Sequence, residues 1–299
     1  MRIFITGGTG FIGALVVDEL IHKGYQVLGL ARSDEAGKKL KDAGAEVLYG
    51  SLDDIEILKK GAALADGVIH LGFSNDFSRY EEAVDTDLAA VKAMGSVLEG
   101  TQRPFVNTAG TLGISGLGRM ATEKDRGIEA MPHIASEEAV IGLAAKGVRS
   151  SVVRLAPCVH DTDRHGLASI LGQIASEKGV SAYIGEGSNV WPAVHRRDAA
   201  HLFCLALESA PAGTCLNGVA EEGIPMKKIA ETIGSSQNIP VKSISEKEAE
   251  SHFGFFAMSA LIDNPTSSAI TRNLLNWRPE HASLLQDIES FYKGKPKER

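Results

Sequence analysis

A cluster of glycines near the N-terminus constrains the fold of this chain more than any other feature. The segment Thr6-Gly7-Gly8-Thr9-Gly10-Phe11-Ile12-Gly13 fits both G-x-G-x-x-G and G-x-x-G-x-x-G. It follows a short apolar run at 2–6 and opens a helical pattern at 11–23. Glycines in this context permit a tight turn and let backbone N–H groups approach a pyrophosphate at a helix N-terminus. The pattern therefore predicts a dinucleotide-binding turn.

Short apolar runs alternate with helical patterns throughout the first half of the chain. The runs lie at 2–6, 26–31, 46–49, 67–71, 105–108 and 149–155, and helical patterns lie between them near 34–43, 53–64, 79–99 and 132–146. Such alternation is typical of parallel strands joined by right-handed crossovers. Continuous apolar strands suit a sheet that is covered on both faces. We therefore predict an α/β fold with a Rossmann-type, doubly wound parallel sheet.

The end of the second predicted strand bears on the choice of cofactor. NAD sites usually place an Asp or Glu there to bind the ribose 2′-hydroxyl. Here Arg32 and Ser33 stand at that point, and the first acid is Asp34. A guanidinium and a hydroxyl can both donate to a 2′-phosphate, which favours NADP(H). In the alternative interpretation, Arg32 is a surface residue and Ser33 caps the following helix, a role that is compatible with a contact to the phosphate.

The alternation loosens after about residue 160. Helical patterns lie near 166–178, 198–209, 226–234, 246–252, 266–275 and 281–292, with short extended pieces near 181–184, 192–195, 214–218 and 240–244. This change indicates a smaller C-terminal substrate lobe that is interleaved with the sheet. We expect an NADP-binding domain at 1–160, to which 190–220 returns, and a substrate-binding lobe at 161–189 and 221–299.

The composition restricts the partners of the chain. A net charge of −7 disfavours a nucleic-acid partner, which needs a basic surface. No run approaches eighteen apolar residues, so we expect no membrane span. The three cysteines and scattered histidines show no disulfide or metal-ligand spacing, so no metal is expected. The N-terminus lacks the pattern of a secretory signal, and we expect a cytoplasmic protein.

Several motifs resemble the extended and atypical NAD(P)-dependent epimerase/dehydratase-like branch of the short-chain dehydrogenases/reductases. Besides the glycine turn, the matching segments are 67–72 (GVIHLG), 106–111 (VNTAGT), 152–160 (VVRLAPCVH) and 191–200 (WPAVHRRDAA). The resemblance implies further cofactor contacts at Ser51, Leu52, Leu71, Gly72, Thr108, Pro157, Cys158 and Val159. It also implies substrate contacts at Leu112, at His160, which faces either the cofactor or solvent, and at Trp191, which lines the pocket or packs in the core.

The helix after the fifth strand departs from the family pattern. Relatives carry Tyr-x-x-x-Lys there, whereas this helix has no tyrosine and no lysine before Lys146. His133, at its start, is either a replacement proton donor or a surface residue. Thr111 either polarises the reacting carbonyl or caps its loop. Glu137 and Glu138 are expected to be solvated or to favour the helix N-terminal half.

These features predict an NADP(H)-dependent oxidoreductase that reduces a small or medium apolar aldehyde or ketone, or oxidises the matching alcohol. The reaction would proceed without the usual tyrosine and lysine. Two alternatives stay open: an epimerase, dehydratase or isomerase that uses bound NAD(P), and a non-catalytic protein that senses NADP(H). By resemblance, a homodimer through the helices at 79–99 and 132–146 is expected.

Overall fold

The computed structural model describes residues 1–74, 79–127 and 134–293. Its strands are β1 (Arg2–Thr6), β2 (Gln26–Ala31), β3 (Glu46–Tyr49), β4 (Gly67–His70), β5 (Pro104–Gly110), β6 (Arg149–Leu155), β7 (Cys158–His160), β8 (Ser181–Ile184), β9 (Val190–His195), β10 (Thr214–Gly218), β11 (Glu221–Pro225) and β12 (Val241–Ile244). Its helices are α1 (Gly13–His22), α2 (Asp34–Asp42), α3 (Ile55–Ala63), α4 (Tyr80–Leu98), α5 (Ile134–Gly142), α6 (Leu167–Lys178), α7 (Arg196–Ser209), α8 (Met226–Gln237), α9 (Glu246–Phe253), α10 (Ala257–Leu261), α11 (Ala269–Leu275) and α12 (Leu284–Lys293).

Seven parallel strands form the main sheet, in the order β10-β6-β5-β4-β1-β2-β3. The order reverses beside β1, which is the point where open α/β sheets bind their ligands. Neighbouring side chains of β4 show that both faces are covered. Ile69 packs with α1 and α7, while Val68 packs with α3 and α4 on the other face. The prediction of a doubly wound parallel sheet is confirmed.

Local sequence signals account for the first crossover, which contains α1. Its buried residues Val16, Val17 and Leu20 share one helical face. The helix ends before Gly24, whose φ of +82° suits a residue without a Cβ, and the Gly24 N–H donates to the Ile21 carbonyl. Gln26 then begins β2. Few residues separate β1 from α1, so the N-terminus of α1 lies at the same edge of the sheet as the C-terminal end of β1.

A second apolar core lies outside the main sheet. It gathers residues of α6, β8, β9, α8, α9 and α12 around Trp191. The smaller sheets β11-β9-β7 and β12-β8 accompany it. Leu275 and Trp277, in contrast, pack with the first core, although the sequence assigned them to the substrate lobe. The domain boundaries therefore stay a prediction.

Across the described ranges, no helix has both the length and the apolar character needed to cross a bilayer.

Candidate functional site

A cavity of about 880 Å³ opens at the carboxyl ends of the strands around β1. Twelve of the eighteen predicted cofactor residues line it: Gly7, Thr9, Gly10, Phe11, Ile12, Gly13, Arg32, Ser51, Leu52, Leu71, Gly72 and Thr108. The glycine turn, the end of β2 and the end of β4 thus meet around one space. Its location at the reversal of strand order matches the usual site for a nucleotide in an open α/β sheet.

The glycine turn leaves no room for side chains on its inner side. Gly7 has a φ of +70°, and its carbonyl accepts the Gly10 N–H at 2.9 Å. A Cβ at Gly13 would lie 2.1 Å from that Gly7 carbonyl oxygen. No side chain among the described residues caps α1. A turn with so little space for side chains, next to a helix N-terminus without a side-chain cap, fits the diphosphate of a dinucleotide. We call this turn the cradle.

Neither Thr6 nor Gly8 lines the cavity, and Thr6 supports the strand ends beside it. The Thr6 hydroxyl accepts the Gly72 N–H at 3.1 Å and lies 2.5 Å from Nδ1 of His70. His70 in turn contacts Asp87 of α4 through Nε2, at 3.1 Å. Thr6, His70 and Asp87 are all buried, so these bonds tie β1, β4 and α4 together. Thr6 therefore positions Gly72, which does line the cavity.

Arg32 and Ser33 take different roles at the end of β2. Arg32 lines the cavity and is exposed, and its guanidinium has no ion pair with any residue that the structure describes. The Ser33 hydroxyl accepts the Ala36 N–H at 3.2 Å and caps α2, which is the alternative that the sequence left open. Of these two residues, only Arg32 lines the cavity.

One wall of the cavity was missed by the sequence analysis. It is the first face of α4 with the residue that precedes it: Arg79, Glu82, Ala83 and Thr86. Asp53 joins this wall and accepts the Thr86 hydroxyl at 3.2 Å. The spacing 79, 82, 83 and 86 is that of one helical face, so it was a usable signal. The other missed lining residues are Leu30, Ala36, Gly50, Phe73, Ser74 and Leu155.

The two predicted catalytic residues are not both placed by the structure. Thr111 follows β5 as expected, but its side chain is fully buried, and Oγ1 accepts the Asn264 side-chain N–H at 2.9 Å. It does not line the cavity. In this conformation Thr111 fastens the loop after β5 to the segment around Asn264. His133 lies outside the described residues and stays a candidate.

Several residues expected near the nicotinamide or the substrate lie elsewhere. Trp191 and Cys158 are fully buried in the second core, and Trp191 donates to the Ile262 carbonyl at 3.2 Å. Burial raises the pKa of the Cys158 thiol to about 12, so it is no nucleophile at neutral pH. His160 is buried against Asp287, with 2.7 Å between Nδ1 and Oδ2. Core packing is one of the two positions that the sequence left open for Trp191, whereas the burial of His160 against Asp287 corrects the expectation that it faces the cofactor or solvent. A contact of the Cys158 backbone with the cofactor stays a prediction.

The remaining residues of that group also stand away from the cavity wall. Val159 packs in the first core. The Pro157 carbonyl accepts the Leu167 N–H at 3.1 Å. Leu112 is half-buried, and its carbonyl accepts the Ser115 hydroxyl at 2.8 Å. None of the three lines the cavity, and their expected contacts with the cofactor or substrate stay predictions.

Glu137 is buried, contrary to the expectation that it would be solvated. Its carboxylate forms a bidentate ion pair with Arg154 of β6, and Nε and Oε2 are 2.9 Å apart. Both side chains are almost fully buried. Glu138, the next residue, is exposed as expected and pairs with Arg126. The helix pattern did not reveal this pair, because Arg154 lies in a strand otherwise flanked by apolar residues.

A group of histidines and carboxylates lies at the junction of the two cores. Ligand atoms of His195, Asp198 and His281 come within 4.8 Å of one another. The Asp198 carboxylate already accepts the backbone N–H groups of Glu280 and His281 and contacts the His281 ring. The rings of His195 and His281 stack at 4.7 Å with 7° between their planes, so their in-plane lone pairs do not converge. This geometry serves packing rather than metal coordination.

Comparison with known proteins assigns the site to a family. Residues 3–119 match the model of the NAD dependent epimerase/dehydratase family. The chain is 47% identical to an uncharacterized protein of Schizosaccharomyces pombe, over 97% of this chain and 99% of that protein. It is 28% identical to a 2-alkyl-3-oxoalkanoate reductase of Stenotrophomonas maltophilia, over 83% and 80% of the two chains.

The fold of the whole chain resembles that of a solved dehydratase. A structure of dTDP-glucose 4,6-dehydratase from Bacillus anthracis, in complex with NAD, superposes with a TM-score of 0.72. The match covers 98% of this chain and 97% of that one, at 14% identity. At this identity the similarity establishes the fold alone, a seven-stranded parallel sheet with flanking helices.

Proposed function

Because the chain belongs to the NAD dependent epimerase/dehydratase family, within the short-chain dehydrogenases/reductases, we propose that it is an NADP(H)-dependent oxidoreductase of small or medium apolar carbonyl compounds. The observation that carries the proposal is the cavity beside the glycine turn with Arg32 at its ribose end. When bound, the nicotinamide would supply or accept the hydride. The protein would bind, orient and polarise the reactants.

The preference for NADP(H) is supported by the charges at the end of β2. Arg32 is exposed in the cavity wall, and no carboxylate of the described residues neutralises it. The acids that follow, Asp34 and Glu35, lie in the first turn of α2, and Glu35 is paired with Lys39 at 2.8 Å. A planar guanidinium suits a dianionic 2′-phosphate better than a ribose hydroxyl.

Replacing Arg32 with Ala is expected to separate the two cofactors. The affinity for NADPH should fall roughly 10- to 100-fold, because a charge-assisted contact to the 2′-phosphate is lost. The affinity for NADH should change less than about twofold. Titration of both dinucleotides by fluorescence measures the two constants. Equal weakening of both, or no change in either, would contradict the 2′-phosphate assignment.

We infer that the proton donor is not a tyrosine of the helix after β5, because the segment 132–146 contains none. If His133 takes the position of the family tyrosine, the four-residue spacing puts Glu137 at the position of the lysine. Glu137 is buried and paired with Arg154, so it cannot hold a ribose as a lysine does. We therefore propose that His133 or a water molecule delivers the proton. The name of the S. maltophilia relative describes a reductase of a 3-oxo acid with an alkyl substituent, which supports a ketone with apolar chains but adds a carboxylate that the proposed substrates lack.

The reaction can be tested with a panel of aldehydes, ketones and 3-oxo esters of increasing chain length. Oxidation of NADPH, followed by its absorbance, should be fastest with medium apolar members and should decline with sugar nucleotides. His133→Phe should lower kcat at least about tenfold while it leaves the affinity for NADPH unchanged. Tight binding of NADPH without turnover of any member would favour a sensing role. Conversion of a sugar nucleotide without net cofactor oxidation would favour an epimerase or dehydratase.

A further inference from the structure

Two arginines pack against the ring of Phe11 in the glycine turn. Arg164 places its Cζ 5.4 Å from the centroid of the Phe11 ring, and Arg196 places its Cζ 4.8 Å from it. Phe11 is the residue between Gly10 and Ile12, at the centre of the cradle, and it lines the cavity. Neither arginine lines the cavity itself, but both reach the ring of Phe11, which does line it and belongs to the turn whose backbone N–H groups would face a diphosphate. Neither arginine was expected from the sequence to contact the cofactor.

The turn that carries Arg164 is held rigidly by one buried acid. Oδ1 of Asp161 accepts the backbone N–H groups of Asp163 and Arg164, at 2.8 and 2.9 Å. The Asp161 N–H donates to the Arg164 carbonyl at 2.7 Å. His160 and His165, on either side of the turn, form an isolated antiparallel β-bridge. The backbone of Arg164 is thus fixed relative to β7. Because the backbone is already fixed, only the side chain of Arg164 has to be ordered when it binds a ligand.

Only one of the two arginines forms an ion pair with a described residue. Arg196 forms an ion pair with Asp161, and Nε and Oδ2 are 2.5 Å apart. Arg164 is exposed, and its guanidinium has neither an ion pair nor a hydrogen bond with the described residues. Asp161 therefore neutralises the first cation and orders the loop of the second. The positive charge that is left over the cradle belongs to Arg164.

We propose that Arg164 binds the diphosphate of the dinucleotide, stacked on Phe11, and closes the cradle from the side of the second core. The proposal rests on the proposed cofactor function and extends it to a second anchor. A diphosphate carries negative charge in NADH and in NADPH alike. Arg164 therefore contributes equally to the two affinities, whereas Arg32 contributes to NADPH alone. A guanidinium fork can bond two phosphate oxygens at once.

The test compares Arg164→Gln, Arg164→Lys and Arg197→Gln in the full chain. Arg197 is the exposed neighbour of Arg196, and its replacement removes the same charge away from Phe11. Titrations use NADH, NADPH, ADP-ribose and adenosine, which lacks phosphate. Arg164→Gln should weaken the first three by the same factor, roughly 10-fold, and leave adenosine unchanged. Arg164→Lys should recover part of the loss, and Arg197→Gln should bind like the wild type.

The possible results separate this inference from the cofactor proposal. Wild-type protein that binds neither dinucleotide would overturn both. Wild-type binding that Arg164→Gln leaves intact would overturn the diphosphate anchor alone. Weakening of NADPH without NADH would overturn it too, because it would assign Arg164 to the 2′-phosphate. Equal weakening by Arg197→Gln would show a general charge effect and would also overturn the inference.

Discussion

Replacing Glu137 with Gln should lower the free energy of unfolding by about 3 kcal/mol or more, the largest stability loss we expect from a single polar substitution in this chain. The carboxylate is buried with its partner, the guanidinium of Arg154, between α5 and β6. Gln keeps the size of Glu but not its charge. The substitution therefore leaves Arg154 as an uncompensated cation in the core, already with one N–H group, Nη1, that has no partner among the described residues. Urea unfolding, followed by tryptophan fluorescence, measures the change.

The same helix supplies a matched control for Glu137→Gln. Glu138 pairs with Arg126 at 3.3 Å, and its side chain is half exposed. Glu138→Gln should change the free energy of unfolding by less than about 0.5 kcal/mol, because exposed ion pairs contribute little. A double variant, Glu137→Leu with Arg154→Met, should be more stable than Glu137→Gln, because it removes both charges together. Similar values for Glu137→Gln and Glu138→Gln would show that burial of the first pair has no energetic consequence.

The main sheet could be predicted from the sequence because its signals are local. The bounds of β1, β2 and β3 agree with the predicted runs to the residue, since each is a short apolar run that a glycine or a polar turn interrupts. β7 and β11 were missed for a physical reason. β7 has three residues, and β11 is mostly polar and pairs with β9 through an irregular register. Tertiary pairing, rather than local preference, forms such strands.

The candidate site shows the same division between local and tertiary information. Backbone features of the glycine turn and strand ends were predictable, because topology alone brings them to one sheet edge. Side-chain directions after β6 were not. Trp191 and Cys158 face the second core, which forms only when α6, β9 and α12 pack together. The burial of Glu137 has a similar origin, because its partner lies in a strand 17 residues away.

Replacing Gly13 with Ala should weaken the binding of both NADH and NADPH by at least about 100-fold. The added methyl carbon would lie 2.1 Å from the Gly7 carbonyl oxygen, 2.9 Å from the Gly7 carbonyl carbon and 3.0 Å from the Gly8 Cα. All three are backbone atoms. Gly7 has little room to move away from this methyl group, because the backbone of Leu71 and Gly72 packs against it. A Cβ on Gly7 would lie 2.6 to 2.7 Å from that backbone. The turn must therefore shift as a whole, and its N–H groups leave the positions that bind a diphosphate.

Gly142→Ala is the control, because it adds the same methyl group to a glycine with a φ of −62° and open space within 4 Å. It should bind both cofactors like the wild type and unfold at the same or a slightly higher temperature. Thermal unfolding of Gly13→Ala, measured beside the titrations, establishes that the variant is folded when its affinity is read. A folded Gly13→Ala that binds dinucleotides with wild-type affinity would contradict the cradle. The diphosphate would then have to be held by side chains such as Arg164 rather than by the backbone of the turn.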